Sequence, residues 1–126
     1  MGEVIVLRPD EGIRLNPERL VALYAELGER GAEAVLARAL DEMEQRLAEM
    51  RGHAEAGSGA ALERSARLLV KVAEQIGMES FARVAGDVAF CAGARDAIGQ
   101  AATLGRLSRI GDRSLTAVWK LRDVMI

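Results

Sequence analysis

Few side chains in this chain are suited to chemistry, and the densest group is a row of cations. In the stretch LERSARLLVKVAEQIGMESF, residues 62–81, Arg64, Arg67 and Lys71 recur at i, i+3 and i+7 and so share one side of a helix. Leu62, Ala66, Leu69, Ala73 and Ile76 form an apolar stripe pointing the other way. Like charges at these spacings cost about 0.2–0.5 kcal/mol per pair, and Glu63, Glu74 and Glu79 are placed to offset part of that. The row is tolerable as a plain solvated face. It is equally a landing place for an acidic partner.

The remaining candidates are isolated. His53 is the single histidine and lies in the glycine-rich GHAEAGSGA, with no cysteine or second histidine near it, so an imidazole or thiolate metal site is not expected. As a base or phosphoacceptor it would need an orienting carboxylate or cation; as a surface loop residue it needs nothing, and that is the preferred expectation. Cys91 is the single cysteine, which excludes an internal disulfide and fits a reducing cytoplasm. Within the apolar DVAFCAGA it is expected to be a small buried hydrophobe. The acids Glu42, Glu44, Glu49 and Glu63 read as solvated faces, and the Glu-x-x-His pairs of di-iron bundles are missing. There is no Walker loop, no Gly-x-Gly-x-x-Gly after a strand and no nucleophile elbow. The expectation is a chain that is not an enzyme, with no catalytic residues, metal or cofactor.

The elements that must position the cationic row follow from composition and period. Half of the 126 residues are hydrophobic but only 3% are aromatic, so the core must be Leu, Ala, Val and Ile, as in helical bundles. The formal charge of −2 supplies no field for nucleic acid, and no apolar run reaches membrane-spanning length. Residues 1–15, with the β-branched EVIVL, Pro9 and Gly12, are expected to form an extended arm. Asn16, Pro17 and Glu18 then start a short helix carrying Leu20, Leu23 and Leu27, ended by Gly28. A second helix is expected from about Ala32 to Gly52, with Val35, Leu36, Ala39, Leu40, Met43, Leu47 and Met50 at 3.6-residue spacing. The third covers Ala60–Ile76 and the fourth Glu79–Ala92. The fifth covers Ala97–Val124, its apolar side including Ile98, Ala101, Leu104, Leu107, Leu115, Val118, Trp119 and Leu121, with Asp112 placed to cap a restart after Gly111. Residues 16–126 therefore read as one all-α domain, an up-down-up-down four-helix bundle with a short N-terminal capping helix.

This layout resembles the histidine phosphotransfer (HPt) domain family, in which a four-helix bundle carries a motif of the type A-H-x-L-K-G-x-A-x-x-L-G. Here the same frame reads ARLLVKVAEQIG, residues 66–77, where Ala66, Leu69, Ile76 and Gly77 match structural positions. MESFARVAGDV matches the start of the next helix through Phe81, and the resemblance extends over residues 16–122. The reactive positions depart from the family. Arg67 stands at the phosphoacceptor histidine, Val70 at the lysine and Lys71 at the small glycine. A guanidinium stays protonated and is a poor nucleophile, so in this frame the chain relays no phosphate. The resemblance implies instead a cytoplasmic, non-catalytic binding module of bacterial two-component signalling. Arg64, Arg67, Val70 and Lys71 would meet a receiver or histidine kinase domain. The alternative is a structural bundle whose partner is a second copy of itself, using the arm at 4–7 together with Val70 and Phe90.

Overall fold

The computed structural model describes residues 5–6 and 13–125, and its elements are two short strands and four helices. Strand β1 (Ile5–Val6) pairs antiparallel with β2 (Arg14–Leu15), in the register Ile5 to Leu15 and Val6 to Arg14. Helices follow as α1 (Pro17–Glu55), α2 (Gly59–Gln75), α3 (Glu79–Gly93) and α4 (Ala97–Met125). The expected arm is thus, where described, a two-stranded pairing held on the bundle, with Ile13 and Leu15 each only 2% exposed. Val4, Leu7, Pro9 and Gly12, on which the arm was also read, lie outside the described residues.

Each helix boundary has a local cause. Asn16 is extended and its Oδ1 accepts from the Glu18 N–H at 3.0 Å, with Pro17 as the first helical residue. Three stops share one device, the paired backbone bonds of a Schellman turn. Gly57 (φ +73°) closes α1, where the Ser58 N–H donates to His53 at 2.9 Å and the Gly57 N–H to Ala54 at 3.2 Å. Gly77 (φ +79°) closes α2 through Met78 to Ala73 and Gly77 to Glu74. At the third stop the left-handed residue is Arg95 (φ 58°), with Asp96 bonded to Cys91 and Arg95 to Ala92. Asp96 then starts α4, its Oδ1 accepting from the Gly99 N–H at 2.9 Å.

α1 packs on α2, α2 on α3, α3 on α4, and α4 returns to α1. One hydrophobic cluster fills the space between them, with Leu36, Met50, Leu62, Leu69 and Leu107 among its fully enclosed members. The ion pair from Arg122 to Glu33 (2.7 Å) fastens the end of α4 to α1.

Several sequence-based expectations need correction. The first helix does end at Gly28, whose φ of 76° and ψ of 172° break the helical backbone; what differs is that the next helix starts without an intervening loop, so Pro17–Glu55 is two helical segments joined at a kink. Leu27 beside the break is 46% exposed, and Val35 is 41% exposed because it lies about 100° off the Leu36 stripe. The break near 52–59 shrinks to residues 56–58. Gly52 stays helical, and only Gly57 has the neighbours that complete a stop. His53 consequently sits in the last turn of α1, half-buried. α4 runs without interruption through Gly111, so Asp112 caps nothing. Gly111 is buried, and a Cβ there would meet Leu47 of α1 at 3.5 Å and Phe81 of α3 at 3.7 Å. Ile98 is 85% exposed, since six residues place it about 120° from Leu104. Cys91 is half-buried rather than enclosed, with its Sγ 2.8 Å from the position of a Cβ on Gly99.

Candidate functional site

The buried side of α2 behaves as its period requires. Leu62, Ala66, Leu69 and Ala73 have no exposed surface and Ile76 has 3%. Because that stripe is anchored along its whole length, the opposite side is held outward, and Arg64, Arg67 and Lys71 are all exposed on it. Four of the five anchoring residues are fully enclosed, so rotating the row inward would take the core apart.

The three cations are not equivalent. Both the Nε and a terminal nitrogen of Arg67 donate to Glu63 Oε2, at 3.1 and 2.6 Å. The Glu63 carboxylate also covers Gly93 of α3, where a Cβ would meet it at 3.1 Å. Any anion that approached Arg67 would therefore compete with Glu63 for it. The pair is exposed, so that competition costs only about 0.5 kcal/mol. Arg64 and Lys71 have no carboxylate partner among the described residues. Their charge is the available part of the row.

Val70 does not join them. It is half-buried, packs against the core cluster, and lies 4.0 Å from where a Cβ on Gly86 of α3 would stand. The expectation that it is an exposed contact residue is corrected by its position on the flank facing α3. Sequence reasoning passed over Leu68, which is 43% exposed and borders the row, about 40° from Arg64 and about 60° from Lys71 on the wheel. The signal was present: Leu68 lies about 160° from Ala66 by helical geometry, outside the buried stripe. The face thus combines an exposed apolar side chain with the neighbouring available cations Arg64 and Lys71.

His53 has its carbonyl engaged by the helix stop, and no group of three or more His, Cys, Asp or Glu suited to a metal occurs among the described residues. No helix among them is long and apolar enough to cross a membrane. In comparison with known proteins, no family model matches the chain, and neither a curated protein nor a solved structure does.

Proposed function

We propose that this chain is a non-catalytic docking module of HPt-like, up-down-up-down layout, which binds an acidic receiver or kinase domain of two-component signalling through the outward face of α2. The observation that carries the reading is the pairing of a fully anchored buried stripe with available cations at Arg64 and Lys71 beside the exposed Leu68. Receiver active centres are acidic, and a guanidinium engages either carboxylates or a phosphoryl group through its planar fork. Arg67, at the position of the family's phosphoacceptor, contributes charge but no nucleophile. The test is binding to the receiver and kinase domains encoded beside it in its genome, each with and without beryllofluoride. Arg64→Glu/Lys71→Glu should weaken the complex at least about tenfold, a loss of about 1.4 kcal/mol, with affinity falling as salt rises. Absence of binding to every such domain at about 100 µM rejects the reading.

A second reading, self-association, is favoured by Phe90 and Ile98, which flank the α3–α4 turn and are 74% and 85% exposed. Light scattering decides it. A dimer that dissociates in Phe90→Asp supports this reading, and a monomer at all concentrations removes it.

A further inference from the structure

A second charged region lies away from the α2 row. The arm, the α2–α3 turn and the neighbouring helices border an open cleft of about 500 Å³, whose lining includes four arginines from four different elements. Arg14 comes from β2, Arg19 from the first turns of α1, Arg83 from α3 and Arg106 from α4. All four are exposed, and none has a carboxylate partner among the described residues. By contrast, Arg46, Arg67 and Arg122 each carry an ion pair. Glu74 and Glu79 also line the cleft, so among the described residues four cations against two anions leave two positive charges in excess, in a chain whose net charge is −2.

The cleft is built rather than accidental. Its floor is fixed where the Asn16 N–H donates to the Gly77 carbonyl at 2.7 Å and Leu15 bridges to Met78. The Arg14 N–H donates to Ser80 Oγ at 2.7 Å, which fastens the arm to the first turn of α3. The N-cap residue of α3, Met78, makes no side-chain capping bond among the described residues, and the positive dipole end of the helix, with Glu79 in its first turn, lies at the cleft.

We infer that this cleft binds a small anion carrying two or more phosphate charges. Arginines drawn from four elements can offer guanidinium donors to one ligand from more than one side. That suits a tetrahedral phosphate, which accepts on several sides, better than a planar carboxylate, which one fork satisfies. No aromatic side chain lines the cleft, so nothing is offered for a base to stack on. Recognition rests on the phosphates. An acidic or phosphorylated protein segment is the competing occupant.

Inorganic pyrophosphate is the probe, titrated calorimetrically into the full chain at low salt, with inorganic phosphate and a phosphoserine peptide in parallel. Pyrophosphate should bind with Kd below about 100 µM. It should bind more tightly than phosphate and lose affinity on raising the salt. Arg83→Gln/Arg106→Gln should weaken it at least tenfold, whereas Arg64→Glu/Lys71→Glu on α2 should leave it unchanged. Amide shifts in the wild-type chain should map to Arg19, Ser80 and Arg83, which checks the site without any variant. No binding of pyrophosphate, binding kept in the double glutamine variant, shifts confined to α2, or binding of the peptide alone each overturns the inference.

Discussion

The α2 row and the arginine cleft are both positively charged surfaces, but they are made in different ways. The row belongs to one helix, and 3.6-residue geometry places Arg64, Arg67 and Lys71 together wherever that helix forms. The cleft exists only when β2, α1, α3 and α4 are all in place. Its integrity depends on contacts such as the Gly77–Asn16 hydrogen bond, which no single element contains. The row should therefore tolerate local damage elsewhere in the bundle, while the cleft should report on the tertiary fold as a whole.

The strongest way to separate them is Gly77→Ala. The residue is buried at φ +79°, and an added Cβ would collide with the Asn16 carbonyl. The expected loss is about 3 kcal/mol from the left-handed strain and the displaced arm. Thermal melting should fall by about 10 °C, pyrophosphate binding should disappear, and binding through α2 should persist below the melt. A stability change within about 0.5 kcal/mol would contradict the role given to this turn. A smaller effect, in the other direction, is expected at Arg95, which belongs to neither region. Relieving its left-handed conformation with Arg95→Gly should stabilise the chain by about 1 kcal/mol, read from the urea midpoint, with both binding activities intact. The smallest is Glu63→Gln. Loss of the exposed pair with Arg67 should cost no more than about 0.5 kcal/mol. It should raise affinity for an acidic partner about twofold by freeing the guanidinium, with pyrophosphate binding unaltered.

The same contrast explains what could be read from residues alone. Periodicity located α2, α3 and the buried side of α1 because each residue's neighbours at i+3 and i+4 are set by the helix itself. Glycines were harder. Gly77 and Gly28 mark real breaks, yet Gly52 and Gly57 look alike until the bonds to His53 and Ala54 single out Gly57. Gly111 followed by Asp112 has the appearance of a stop and a cap, whereas Gly111 is a buried position inside α4 that faces Leu47 and Phe81 of two other helices. Val70 was misplaced because the flank of α2 that meets α3 depends on where α3 lies. Leu68 could have been found from the wheel. The cleft could not: positions 14, 19, 83 and 106 share no period, and only the packing of four elements makes them neighbours.

The order of packing along the chain bears on how it folds. Each helix lies against its successor across a short turn, so most of the bundle closes through small loops, the arrangement that favours rapid folding. The arm's attachment is different, since the bond from Arg14 to Ser80 joins residues 66 apart. Loop-closure entropy makes such a contact late, after α2 and α3 have formed the surface it rests on. In refolding, the α2 row would exist before the arm docks, and the arginine-lined cleft would be the last feature of the molecule to mature.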